Sequence, residues 1–459
     1  MIKLFKKTNE FATPYTIKNT LKYSDNKTKA SFFIMGLGNI LRKQVVKGIM
    51  FLGIQLSYIL FMIFKGIQFI IDLPGLGSLI QGEVWNEAKG VYEYTSGDNS
   101  VLILLFGIAT IFITIGFIMI YFSSIKSAYK AQCLEEAGKP LPTFIDDVKE
   151  LFNTQLHKLL LTGPVMGVLV FTILPLVFMI SMAFTNYSKI DSHLVLFDWV
   201  GLKNFAEVLS FNSSIGQQFW SVLGWTIIWA IFATFLNYFF GMLLALVINR
   251  KDTKFKAFWR FCFILSIAVP QFVSLLIMRT MLQPEGAVNV LLRNAGIIGA
   301  STSLPFFTNP TWARVTVIVI NLWVGIPFTM LQVTGILQNI PAELYESAKV
   351  DGANAVTIFF KITLPYMLFV TTPYLITTFM GNINNFNVIY LLSGGDPTPV
   401  GMTAGKTDLL VTWLYKLTVD KQYYNWGAVI GILTFVVLAI VSLVTYRNSN
   451  SYKDEEGFM

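Results

Sequence analysis

Long apolar runs alternate with short polar connections along this chain. A helix needs about 20 largely apolar residues to cross a bilayer. Eight runs reach that length, at about 45–64, 101–123, 159–184, 219–248, 259–282, 313–337, 366–392 and 426–446. Each is expected to be a transmembrane helix, because a backbone in hydrocarbon must satisfy its own hydrogen bonds. The apolar stretch Ser31 to Ile40 is too short to span and is expected to lie at the interface. No cleavable signal pattern is visible in the first 44 residues. The pattern predicts an all-α integral membrane protein with eight transmembrane helices. It divides into an N-terminal region 1–44, a two-helix membrane segment with its linker over 45–158, a core over 159–446 and a tail over 447–459.

Composition sharpens this. Of 459 residues, 54% are hydrophobic and 13% charged, about half the charged share of a soluble domain. A net charge of +8 raises the question of nucleic acid, but the basic residues cluster at the ends of the apolar runs. Eight spans put both termini on one side. If that side is the cytoplasm, the inner connections hold 24 of the 34 Lys and Arg residues, as the positive-inside rule requires. The spans carry almost no ionisable residues, which argues against a proton or ion relay and hence against an ion-coupled secondary carrier. Cys133 and Cys262 form no CxxC, and His157 and His193 stand far apart. No metal ligands or catalytic residues emerge, and a membrane-embedded enzyme would need a constellation that is not there.

Between the sixth and seventh spans, at 338–365, lies a polar segment with its own periodicity. Pro341 suits a first helical turn. Leu344, Tyr345 and Ala348 share a face, with Glu346 and Lys349 on other sides. Gly352 fits a helix end or a sharp bend. Val356, Phe359, Phe360 and Thr363 then repeat at helical spacing, up to Pro365 where the next span begins. The expected product is a short helix, a glycine bend and a second helix, forming a stiff elbow on the cytoplasmic side.

This segment resembles the EAA motif of ABC-importer permeases, which reads E-A-A, three residues, Gly, nine residues, Ile, one residue, Leu-Pro. Glu346, Ser347, Ala348, Gly352, Ile362, Leu364 and Pro365 fall at every spacing, with Ser347 in place of the usual Ala. The resemblance continues in Phe184-Thr-Asn-Tyr, Trp199-Val-Gly-Leu-Lys-Asn-Phe, Val269-Pro-Gln-Phe-Val-Ser, Asn321-Leu-Trp-Val-Gly-Ile-Pro-Phe, Asn384-Asn-Phe-Asn-Val-Ile-Tyr and Ala404-Gly-Lys-Thr-Asp-Leu-Leu. Together these are similar to the larger permease of maltose/maltodextrin importers. The resemblance implies a type I importer permease fold and no cofactor on this chain. It also implies Mg-ATP on two separate ATPase subunits, a second homologous permease and an extracellular sugar-binding protein. The short connection 185–218, where Gram-negative relatives carry a large outer domain, resembles the Gram-positive arrangement with a lipoprotein binder in the cell membrane. The run Val400 to Thr407 ends like a phosphate-binding loop, but it has Val at the first glycine and no strand before it. It is not read as a nucleotide site.

Side-chain amides at membrane depth need partners or a wet cavity. On a helix, Thr378, Asn382 and Asn385 share one face with Gly381 beside them, and amides suit sugar hydroxyls. The maltose-type resemblance implies that Gly325, Phe328, Thr378, Gly381, Asn382 and Asn385 contact sugar, Gly325 as an open wall and Phe328 as an aromatic surface. Interhelical packing is the competing reading for Asn382 and Asn385, and more so for Asn384 and Asn387. Pro270, Pro327 and Pro373 mark kinks or tolerated breaks. The expected cargo is maltodextrin, with galacto-oligosaccharides or raffinose-type sugars as the alternative.

Overall fold

The structure is a computed structural model, and it describes residues 15–87, 89–250 and 252–447. The first 14 residues and the tail from 448 lie outside the described residues. The chain forms two compact units, one of residues up to Tyr187 with Asp191–Val200, the other of Ser188–Ile190 with everything from Gly201. The third span, which the sequence placed at the head of the core, belongs to the first unit.

In the first unit, three short helices, α1 (Ile17–Tyr23), α2 (Asn26–Ala30) and α3 (Leu37–Ile40), precede the long helix α4 (Val45–Asp72). The segment 31–40 does not simply lie at an interface. Met35 is fully buried, and Gly36, with φ +79°, touches Gly48 so closely that a Cβ would lie 2.3 Å from its carbonyl oxygen. Two glycines facing each other let backbone pack on backbone, which a hydropathy run does not reveal. Arg42 fixes the arrangement. Its side chain is inaccessible to solvent and pairs with Asp25 at 2.5 Å and Glu135 at 2.8 Å. Burial pushes the Asp25 carboxyl up, but the Thr28 N–H and the Arg42 guanidinium outweigh it and hold it below the usual value.

Helix α5 (Ser100–Glu136) runs 13 residues beyond its expected end. Those extra turns receive α1–α3, with Gln132 bonding to the backbone of Asp25 and Tyr23. Between α4 and α5 stands an antiparallel hairpin, β1 (Gly82–Asn86) and β2 (Val91–Thr95), with Gly82 opposite Thr95. It is the one sheet among the described residues, beside an isolated antiparallel bridge between Thr185 and Trp199. The amphipathic α6 (Phe144–Phe152) starts on a Thr143–Asp146 capping box, and α7 (Leu156–Met182) is the third span.

The second unit opens with α8 (Lys203–Leu209) and the 36-residue α9 (Ser214–Asn249). Next come α10 (Lys256–Ala268) and α11 (Gln271–Met281), which meet at 85°. Pro270 has no N–H for the Ser266 carbonyl and forces Val269 into an extended conformation, so the fifth span is broken rather than kinked. The remaining helices are α12 (Ala287–Asn294), α13 (Pro310–Gln338), α14 (Ala342–Val350), α15 (Ala355–Ile383), α16 (Phe386–Leu392), α17 (Leu410–Tyr415) and α18 (Tyr424–Arg447). Among the described residues seven helices are long and apolar enough to cross a membrane, and the count is eight if the bent α10–α11 pair is taken as one span.

Two prolines that follow widened turns leave their helices unbroken. Pro175 and Pro365 each follow a π-helical turn, Leu169–Ile173 and Phe359–Thr363, and the helix runs on. A proline ring clashes with the carbonyl four residues back, and a widened turn accommodates it. The elbow's second helix is therefore continuous with the seventh span as the single helix α15.

The core of this unit is built on α9. One apolar cluster joins Trp225, Trp229 and Ala233 to Leu275, Val317 and Val388; another joins Tyr238, Met242 and Ala245 to Met330, Val333 and Met367. The connection 393–409 is pinned by Asp408, which is fully buried, bonds to Lys416 at 2.7 Å and takes the Gly405 N–H at 2.7 Å. Burial raises the Asp408 carboxyl above its usual value against the pull of Lys416. The amide that a phosphate loop would need is already committed there, and the Thr407 hydroxyl is bonded to Asp396 and Ser393.

Candidate translocation cavity and elbow

Between the two apolar clusters, α9 presents a polar layer, Thr234 and Asn237. Helices α9, α10, α11, α13 and α15, with the start of α16, line an open cavity of about 400 Å³ at this level. That size lies within the range of small-ligand sites, roughly 300–1,000 Å³. Five of the six residues selected from sequence line it: Gly325, Phe328, Thr378, Asn382 and Asn385. Phe328 is half exposed and supplies the expected aromatic surface.

Three expectations about this region change. Helix α15 ends at Ile383, and Asn385 caps the next helix by accepting the Val388 N–H at 3.2 Å. Thr378, Asn382 and Asn385 thus share the cavity but not one helical face. Gly381 stands about 100° round the helix from Asn382 and lines a separate groove with Asn384 and Phe435, Leu438, Ala439 and Ser442 of α18. Gly325 is no open wall either. A Cβ there would lie 2.4 Å from the Asn237 amide carbon, so the amide occupies the glycine's notch. Gly241 serves α13 likewise, its virtual Cβ 2.6 Å from Thr329. Such small-residue notches let membrane helices approach closely.

Asn382 has an interhelical role as well as its place in the wall. Its amide donates to the Thr234 hydroxyl at 3.0 Å, and its backbone carbonyl accepts the Trp229 indole N–H at 3.1 Å. The sequence reading missed Asn237, Asn321, Gln271, Ser274 and Tyr374, which also line the cavity. Asn237 carried a usable signal, an amide in the middle of a long apolar helix. Gln271 reaches the cavity only because the chain breaks at Pro270, which hydropathy does not show.

The elbow is built as its sequence suggests up to Gly352. Helix α14 has no buried residue, and Glu346 and Ser347 are exposed, while Tyr345 and Ala348 are half-buried. The Tyr345 hydroxyl meets that of Thr363 at 3.2 Å, and the Ser347 hydroxyl turns back to the Glu343 carbonyl at 2.8 Å. At the end of α14, Gly352 has φ +78°. Its N–H bonds to the Lys349 carbonyl and that of Ala353 to the Ala348 carbonyl, the paired bonds of a Schellman cap. Asn354 then caps α15 through the Thr357 N–H at 2.8 Å. Leu364 packs against the cluster around Tyr238 and Met242, while Ile362 is half-buried and Pro365 exposed. No group of three or more His, Cys, Asp or Glu that could hold a metal is found among the described residues.

Residues 237–451 match the family described as binding-protein-dependent transport system inner membrane component. The galactooligosaccharides transport system permease protein GanP of Bacillus subtilis is 35% identical over 92% of this chain and 97% of its own length. The maltodextrin transport system permease protein MdxF of the same organism is 35% identical over 95% and 99%. The maltose/maltodextrin permease MalF of Photorhabdus laumondii is 36% identical over 54% of this chain and 48% of its own length. A crystal structure of a bacterial ABC transporter that imports alginate superposes with a TM-score of 0.53, covering 66% of this chain and 98% of that one at 24% identity, a likeness of fold alone.

Proposed function

The chain belongs to the binding-protein-dependent transport system inner membrane components, and from that membership we propose how this permease subunit of a sugar importer works and what it carries. Its cargo is a maltodextrin, taken through the cavity between α9, α10, α11, α13 and α15. The observation that carries this reading is the cavity itself: Asn382, Asn385 and Thr378 offer donors and acceptors opposite Phe328, whose ring suits the apolar face of a sugar. Galacto-oligosaccharides are the second reading, supported by a relative of that name at the same identity as the maltodextrin one.

Both termini and α14 lie on the cytoplasmic side, in line with the excess of basic residues there. Helix α14 docks on an ATPase subunit that holds Mg-ATP, and this chain binds no cofactor. A second permease completes the path, and an extracellular binding protein delivers the sugar. ATP-driven closure of the ATPases moves α14, and the Gly352 cap passes that movement to α15, whose far end carries Asn382. The spans then rock between outward and inward openings.

The test is uptake by proteoliposomes holding the whole transporter, with maltotriose and galactotriose offered in parallel through the cognate binding protein. Maltotriose uptake is expected. Glu346→Lys is expected to abolish it and uncouple ATP hydrolysis while the subunits still co-purify. Full uptake by that variant refutes the docking role, and uptake of galactotriose alone refutes the cargo.

A further inference from the structure

Two amides in the cavity wall each keep one atom without a partner, and the two atoms are of opposite sense. Asn237 is 8% exposed and Asn321 5%. The Asn237 amide nitrogen donates to the Ala233 carbonyl of its own helix at 2.7 Å, and its carbonyl oxygen, although buried, accepts nothing. The Asn321 amide nitrogen, also buried, donates to nothing. Both line the cavity. A buried polar group left unsatisfied costs about 1–3 kcal/mol, so two such groups on side chains that line one cavity call for a ligand there.

Interhelical glue does not explain them. Asn382 shows what glue looks like in this protein, with its amide bonded across to Thr234 of α9. Asn237 faces α13 and bonds only to its own helix. Its orientation is nevertheless fixed: the Ala233 carbonyl holds the amide nitrogen, and the amide lies in the notch of Gly325, where a Cβ would be 2.5 Å from its oxygen. Asn321 stands one helical turn before Gly325, on the same side of α13. A preset acceptor and a free donor thus belong to two side chains that line one cavity. A hydroxyl group is donor and acceptor at once and suits both.

We propose that Asn237 is a substrate-contacting residue, its carbonyl oxygen accepting a hydrogen bond from a sugar hydroxyl that Asn321 holds from the other side. This rests on the reading of the cavity as the sugar path. It adds α9 as a source of specificity beside α13 and α15. It also gives Gly325 a purpose, since any side chain there would push the Asn237 amide out of place.

The experiment pairs the residue with the hydroxyl. The complete transporter in proteoliposomes takes up the trisaccharide that the unsubstituted protein prefers, maltotriose or galactotriose, and a series of its monodeoxy analogues, with KM and kcat measured for each. For the unsubstituted protein, one analogue is expected to show a KM about three- to tenfold higher, the scale of one net hydrogen bond. Asn237→Ala is expected to raise KM for the parent sugar by a similar factor and to show no further loss with that analogue. If the two penalties multiply at every hydroxyl, Asn237 touches no substrate and the proposal falls. If Asn237→Ala does not assemble, Asn237→Leu, which keeps the volume but offers no acceptor, carries the same cycle, and multiplicative penalties there overturn the proposal equally. Failure of the unsubstituted protein to take up either trisaccharide counts against the sugar path itself and is read separately.

Discussion

Gly352 offers a clean perturbation of the elbow. It sits at φ +78° and a Cβ there would meet nothing within 4 Å, so a substitution costs backbone conformation and no packing. An L-residue in the left-handed region costs roughly 1–2 kcal/mol, and Asn tolerates that region better than Ala or a β-branched residue. Gly352→Ala should therefore weaken the closed cap by about 1 kcal/mol and Gly352→Val by about 2 kcal/mol, with Gly352→Asn below both. In equilibrium terms the closed elbow falls about fivefold for Ala and up to about thirtyfold for Val. The assay is the ratio of sugar transported to ATP hydrolysed by the reconstituted transporter, with subunit co-purification as the control for assembly. The expected order is Gly, then Asn, then Ala, then Val. Side-chain size alone gives a different order, because Ala is smaller than Asn. Coupling that is better in Gly352→Ala than in Gly352→Asn would refute the conformational argument, as would equal coupling in all four.

Gly325→Ala places a methyl 2.4 Å from the Asn237 amide carbon, a strain worth about 1–3 kcal/mol. Lower thermal stability in detergent and a raised KM for sugar are expected together, and an unchanged melting curve would count against the α9–α13 notch. Asp25 gives a pH dependence. Its folded value lies below its ordinary value near 4, so the stability it lends is fully present above that value and is lost as pH falls through the lower one. Hydrogen exchange over residues 16–44 in nanodiscs should therefore rise at acid pH before exchange in the spans does. Asp25→Asn should exchange fast at neutral pH and lose this step, and a step that persists in it would assign the transition to another group.

Hydropathy showed where the spans are because lipid demands it, and the ends of α9 and α13 fall within a few residues of expectation. Connections inside the protein were harder to read. Ser31 to Ile40 looks like an interfacial run, but Gly36 packs on Gly48 of α4 and Gly38 lies close to Ala128 of α5. The alternation in Val91-Tyr-Glu-Tyr-Thr is a strand signal, but it lies in a connection judged by its length rather than its pattern. The Asn384–Asn385 break was hidden because four asparagines between 382 and 387 fit a polar helical face as well as a helix end and a new cap. The cavity was legible where residues carried a family resemblance or a run of amides. It was not legible on α9, where a single Asn237 in 36 residues gives no period. Nor was it legible at Gln271, whose reach depends on an 85° turn.

The continuity of α15 sets a mechanical scale. From Ala355 to Ile383 it is one helix of 29 residues, about 43 Å long at 1.5 Å per residue. The π turn before Pro365 keeps it unbroken, so its two ends move as the ends of a lever. A tilt of about 10° about the midpoint carries each end roughly 4 Å, given that length, more than the reach of a hydrogen bond. A movement that small at Ala355 is enough to exchange every polar contact Asn382 makes. Pro373, with no N–H for the Phe369 carbonyl, marks the place along the shaft where a bend would spend that motion before it arrived.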